Sequence, residues 1–133
     1  MSSANGRYRN PMQRARALGS AKSGTAHFWW QRVTAVVLAL LVPWLVGLLV
    51  SFVGADLASV QFALGKPWNA ILLSVFVVAL FWHAQMGMQV VIEDYVHTRA
   101  TELVLQFLVI LACVVGALAS LYAIGRIALM IAP

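Results

Sequence analysis

Charge is scarce in this sequence, and acid is scarcest. Of 133 residues only four are acidic (Asp56, Glu93, Asp94 and Glu102), and charged residues make up 10% of the chain. Set against 62% hydrophobic residues, this excludes an ordinary soluble domain, in which about a quarter of residues are charged. A single cysteine, Cys113, excludes an internal disulfide, and its place in an apolar run suits small apolar packing. The sequence also lacks a glycine-rich nucleotide loop, a metal-ligand cluster and a nucleophile triad. No active site is complete within this chain.

What the sequence has instead is three long uncharged runs, Val33–Gly54, Pro67–Ile92 and Leu103–Gly125. Each exceeds the roughly 20 residues a helix needs to cross about 30 Å of hydrocarbon. The expected fold is an all-α membrane protein with three transmembrane helices, spanning residues 29–54, 67–94 and 101–128. Together they form an anchor domain over 25–133, preceded by a basic arm over 1–24. The arm, rich in Gly, Ser, Asn, Pro and Arg, has no apolar periodicity to order it.

The excess positive charge is unevenly placed. Arg7, Arg9, Arg14, Arg16, Lys22 and Arg32 precede the first span, and Arg99 falls between spans two and three. Only Lys66 and Arg126 fall on the opposite side. The positive-inside rule therefore puts the N-terminus in the cytoplasm and the C-terminus in the periplasm. The arm reads as topogenic and attracted to anionic headgroups; nucleic acid is not expected, since no folded module presents the charge. Its arginines, serines and lack of acids also resemble a mitochondrial transit peptide, whereas no short apolar run and cleavage site mark a secretory signal.

Local signals refine the plan. His27–Arg32 forms an interfacial collar with Trp29 and Trp30 at headgroup depth, and Pro43 interrupts the hydrogen bonding of span one. A short interfacial helix is expected at Leu57–Leu64. Pro67 suits the first turn of span two, with Trp68 as an anchor. The short loop Tyr95–Ala100 makes spans two and three an antiparallel hairpin. Span three is expected to start near Thr101–Glu102, with capping and favourable charge, and to end near Arg126, which snorkels to the surface.

The chemistry concentrates in His83–Tyr95, HAQMGMQVVIEDY. An imidazole deep in an apolar span must face a partner, a cavity or a metal, because an unsatisfied polar group there costs several kcal/mol. Such residues are functional candidates by default. His83 and Asp94 are eleven residues apart, which on a helix places them within about 20° of one face and about 16 Å apart along the axis. Phe76, Ala79, Leu80, Gly87 and Val90 share the face of His83, and Gly87 with Ala84 leaves room for a large flat group. Spacing alone leaves two readings for His83, a haem axial ligand or a hydrogen bond within a packed helix interface.

The neighbouring groups carry similar pairs of readings. Tyr95 can donate to a carbonyl, and Asp94 can orient a cation or relay protons, but acids and tyrosines are also common at membrane boundaries. Arg32 and His27 suit the acidic groups of a cofactor, or serve as topogenic charge alone. His97 and Arg99 belong to an exposed loop, and Met86 and Met88 to core or lipid packing.

The stretch HAQMGMQVVIEDYVH resembles the second-helix motif of the hydrophobic membrane anchor subunit of succinate dehydrogenase, respiratory complex II. There H-x-x-x-G-x-x-x-[I/V/L]-x-x-D-Y-V recurs. The block His27–FWWQ–Arg32–Val33–Thr34–Ala35 is similar to that family's entry into its first helix, so the resemblance covers nearly everything after the arm. It implies that His83 is an axial ligand to a b-type haem shared with the cytochrome b556 subunit, which supplies the second histidine. Tyr95 would donate to a ubiquinone carbonyl, Asp94 would help order that site, and Arg32 and His27 would neutralise haem propionates. A flavoprotein with covalent FAD and an iron–sulfur subunit would dock on the positive face and pass electrons from succinate to quinone. A bacterial inner membrane is the expected location, with the mitochondrial inner membrane as alternative. Glu93 and His97 extend the motif with further titratable groups, and the arm is expected to touch the iron–sulfur subunit or anionic lipid. Two other functions fit the residues: a small subunit with a proton or ion path through His83 and Asp94, and a helical scaffold without haem. A fumarate reductase anchor is a neighbouring variant of the first.

Overall fold

A computed structural model describes residues 22–131. They form four helices, α1 (Lys22–Ser51), α2 (Leu57–Gly65), α3 (Pro67–Tyr95) and α4 (Arg99–Ile131), with no strand among the described residues. The basic arm falls, over residues 1–21, outside the described residues. Three apolar spans, Thr25–Ser51, Pro67–Tyr95 and Arg99–Met130, lie in α1, α3 and α4. At 1.5 Å per residue they measure about 40 to 48 Å, longer than about 30 Å of hydrocarbon, so their ends emerge from it. Large apolar side chains such as Leu40, Val75 and Phe107 are exposed along them, while Ala70, Ala79, Met86 and Ile92 are buried. Apolar surface turned outward on this scale suits lipid, and it leaves the backbone polar groups satisfied inside each helix.

The spans are punctuated by local chemistry. α1 runs through Pro43 without a break, although proline has no N–H to donate there. It stops at Ser51, short of the expected limit at 54, because the chain turns at Gly54 with φ +78°, a conformation glycine adopts without steric cost. The short helix expected at Leu57–Leu64 is present as α2, and Asn69 donates to the Ala63 carbonyl at 2.7 Å, tying α2 to the start of α3. Pro67 occupies the first turn of α3, where its missing N–H costs nothing.

α3 and α4 are joined by residues 96–98 alone. The Val96 N–H closes α3 on the Ile92 carbonyl, and the Glu102 N–H opens α4 on the Thr98 carbonyl, both at 2.9 Å. α4 thus begins at Arg99, ahead of Thr101. Glu102 sits in its first turn with Arg99 at 4.0 Å, and a negative charge there complements the helix dipole. The helix continues past Arg126 to Ile131.

α3 and α4 pack along their length, and α2 rests on both. At the centre of the hairpin the Phe81 ring lies over Gly116, where a Cβ would come within 2.6 Å of the ring. Ala79, Met86 and Ile92 are the buried side of α3. Ser74 and Ser120 return their hydroxyls to the carbonyls of Ala70 and Gly116 at 2.7 and 2.8 Å, so neither presents an unpaired donor to lipid. The chain divides into two compact units at Trp30/Gln31. In the first, Phe28, Trp29 and Trp30 are exposed.

Candidate functional site

His83 lies in the middle of α3, half-buried. Its Nδ1 is 3.0 Å from Oγ1 of Thr34 on α1. Thr34 is the one buried polar side chain among the described residues, 5% exposed, and its Oγ1 also bonds the Gln31 carbonyl at 3.1 Å. The Gln31 amide in turn faces Gly87, with Nε2 3.8 Å from where a Cβ would stand, and its Oε1 is buried without a hydrogen-bond partner. Both pairs obey one register. Moving three residues back along α1, from Thr34 to Gln31, moves one turn forward along α3, from His83 to Gly87. The two helices are therefore antiparallel, and residues three or four apart on each share the facing stripe.

The remaining candidates sit elsewhere. Glu93, Asp94 and Tyr95 are exposed at the end of α3, Tyr95 to 78%. Tyr95 is twelve residues from His83, about 18 Å along the axis. His83 and Asp94 share no hydrogen bond. His97 and Arg99 are exposed at the α3–α4 turn, and Arg32 is exposed on α1. His27 belongs to the other compact unit; it is half-buried there, and its Nε2 is buried without a partner. Of the two methionines, Met86 is buried within the chain and Met88 is exposed. No group of three or more metal-ligating side chains occurs among the described residues.

Sequence reasoning gave no role to Thr34 and placed Gln31 only in the interfacial collar. The signal was present: apart from Ser51 near its end, Thr34 is the only hydroxyl in the uncharged run Val33–Gly54, and an isolated polar residue in a span needs a partner. It also passed over a ladder of amides. Gln85 donates to Gln89 at 3.5 Å, and Gln89 to Glu93 at 2.9 Å, in steps of four along α3. Gln106 on α4 donates to Glu102 at 3.4 Å. Gln85, Gln89 and Gln106 line a cleft of about 160 Å³ between α3 and α4. Gln85 also borders an apolar cleft of about 340 Å³, where Cys113 meets Phe81 and Trp82. The spacing of Gln85, Gln89 and Glu93 announces the ladder, since i,i+4 pairs share a face.

Three membrane-length helices, with a histidine bonded to a buried hydroxyl inside them, define a membrane-embedded helical protein with a polar centre. The comparisons agree. Residues 6–117 match the family described as the succinate dehydrogenase/fumarate reductase transmembrane subunit, and the chain belongs to that family. It is 38% identical over 112 residues to the succinate dehydrogenase hydrophobic membrane anchor subunit of Rickettsia conorii, covering 84% of this chain and 89% of the relative. It is 32% identical over 123 residues to the subunit of the same description from Paracoccus denitrificans, covering 92% and 95%. A succinate dehydrogenase membrane anchor subunit of Reclinomonas americana is 36% identical over 91 residues, 66% of this chain and 76% of the relative. The chain is thus a membrane anchor of an oxidoreductase complex, not a complete enzyme.

Proposed function

We propose that this chain anchors a succinate:ubiquinone oxidoreductase in a bacterial inner membrane, holds one side of a b-type haem through His83, and forms a wall of the ubiquinone site with Tyr95 and Asp94. The hydrogen bond between Thr34 and His83 carries the haem assignment. It occupies Nδ1 and leaves Nε2 as the nitrogen for iron, and a metal-ligating histidine characteristically engages its other nitrogen in this way. The space over Gly87 is taken by the Gln31 amide rather than left open, while alanine at the exposed position 84 keeps the surface beside His83 low. By the family resemblance, His83 would hold such a haem together with a histidine of a partner membrane subunit. When bound, a haem would supply a one-electron store.

The other residues have separate tasks. Arg32 offers a guanidinium fork to a propionate carboxylate, with His27 as the second candidate by family resemblance. The seven basic residues that precede the uncharged run Val33–Gly54 or fall between Ile92 and Leu103 favour an N-terminus inside and a C-terminus outside. That orientation puts Tyr95 on the cytoplasmic face, where an iron–sulfur subunit can approach. There the phenol O–H donates to a quinone carbonyl as it gains electron density, and the Asp94 carboxylate helps order the phenol and quinone. Succinate oxidation itself, with FAD and iron–sulfur clusters, belongs to the partner subunits.

The test is a dithionite-reduced minus oxidised optical spectrum of the assembled complex, for wild type and His83→Ala. A b-type signal in the wild type that is absent from an assembled variant supports the assignment. A correctly assembled wild type without haem overturns it.

A further inference from the structure

We infer that Thr34 is the positioning residue that fixes both the tautomer and the ring orientation of His83, so that Nε2 carries the lone pair for a metal. This rests on the haem reading above and extends it to a residue outside the metal's own ligands.

The steps are elementary. Thr34 has one hydroxyl hydrogen and two acceptor lone pairs. In a helix a threonine hydroxyl commonly turns back to a carbonyl of the preceding turn, and here the Gln31 carbonyl lies 3.1 Å from Oγ1. That carbonyl can only accept, so it takes the hydroxyl hydrogen. Oγ1 then meets His83 Nδ1 at 3.0 Å with a lone pair, and Nδ1 must be the protonated nitrogen. In a neutral imidazole the other nitrogen is then the unprotonated one. The tautomer follows from α1 backbone geometry.

The orientation is fixed by the same contacts. The χ1 of a β-branched side chain is restricted in a helix, and threonine's preference is set by its bond to the preceding turn. Thr34 is 5% exposed, so water has little access to replace the hydroxyl. Gln31 against Gly87, one turn away, sets the register that brings Oγ1 and Nδ1 together. An N–H donated to a fixed acceptor also strengthens the other ring nitrogen as an electron donor to a metal, and stronger donation favours the ferric state.

The experiment is a potentiometric titration of the haem, with electron paramagnetic resonance of the oxidised form. It uses the assembled complex carrying wild-type chain, Thr34→Val, Thr34→Ser or His83→Ala. Valine keeps the shape and removes the hydroxyl; serine keeps the hydroxyl and removes the methyl. Loss of a partner of this kind weakens metal affinity by about 10- to 100-fold. If the loss falls on ferric iron, tenfold corresponds to an upward shift of about 59 mV for one electron. Thr34→Val should show that shift with altered g-values, or lose haem, and Thr34→Ser should stay near wild type. A valine variant with wild-type potential and g-values overturns the role of Thr34 while leaving the haem reading intact. So does an assembled serine variant that behaves like valine. A haem signal that survives His83→Ala unchanged overturns both.

Discussion

The two helix joints around α3 are built from opposite materials. On one side α3 meets α4 through apolar surfaces, with Phe81 over Gly116 and Ala79, Met86 and Ile92 buried. On the other it meets α1 through a hydroxyl, an imidazole and a carboxamide, Thr34, His83 and Gln31. Packing of the first kind accepts one apolar side chain for another of equal size and is intolerant of a change in volume. The second kind is tolerant of small volume changes and intolerant of chemistry, because an unpaired polar group in a membrane has no water to fall back on. The hairpin supports the structure, and the polar joint is where a function can be tuned. His83 sits on the helix that takes part in both.

Substitutions at each joint should separate the two. The largest effect is expected from His83→Ala, with loss of the haem spectrum while the anchor still assembles. Tyr95→Phe removes a single exposed donor far from either joint. It should lower succinate-driven quinone reduction by about tenfold or more, the value of one lost hydrogen bond of about 1.4 kcal/mol in the transition state. Succinate oxidation by an artificial acceptor and the haem spectrum should both stay at wild-type levels. A Tyr95→Phe complex with normal quinone turnover would remove the residue from the site.

Gly116→Ala probes volume. A Cβ 2.6 Å from the Phe81 ring forces the ring aside, and overpacking of this kind costs about 1–3 kcal/mol. Thermal unfolding of the detergent-extracted complex should shift down, and Phe81→Leu in the same chain should recover part of the loss. The haem potential should not move. If the potential moves as much as with Thr34→Val, the joints are not independent and the contrast between them fails.

Much of this architecture was legible from composition alone. Three uncharged runs longer than the hydrocarbon thickness dictate three helices, and Pro67 and the short 95–100 loop mark where they turn. The helix limits were less legible. Gly54 stops α1 early, and the Thr98 carbonyl starts α4 at Arg99; both depend on a local backbone conformation that residue type only permits. At the site, His83 stood out because an imidazole is costly in lipid, but its partner did not. Thr34 is forty-nine residues away, and no periodicity within α3 can name a residue on α1. A single sequence shows the need for a partner and not which residue meets it.

The smallest effect concerns a second hydroxyl hydrogen bond, placed in water. Ser59 donates to the Asp56 carboxylate at the start of α2, and that bond, with lesser help from nearby backbone N–H groups, holds the Asp56 pKa below the usual 3.8. A depressed carboxylate pKa contributes stability that is present above the unfolded value and is lost as pH falls through the folded one. α2 should therefore loosen at its N-terminal end only when acid reaches below the ordinary aspartate range, and Ser59→Ala should bring that loosening to higher pH. A carboxyl carbon-13 titration of Asp56 with and without Ser59 checks the direction. Because Asp56 and Ser59 are exposed, water replaces what the substitution removes, and the change should stay local to α2. The same chemical deletion at Thr34 has no such replacement. An Asp56 titration that ignores Ser59 would show that a hydroxyl bond in water has no measurable hold on its partner. A wild-type potential in Thr34→Val beside a shifted Asp56 would invert the ranking of the two environments.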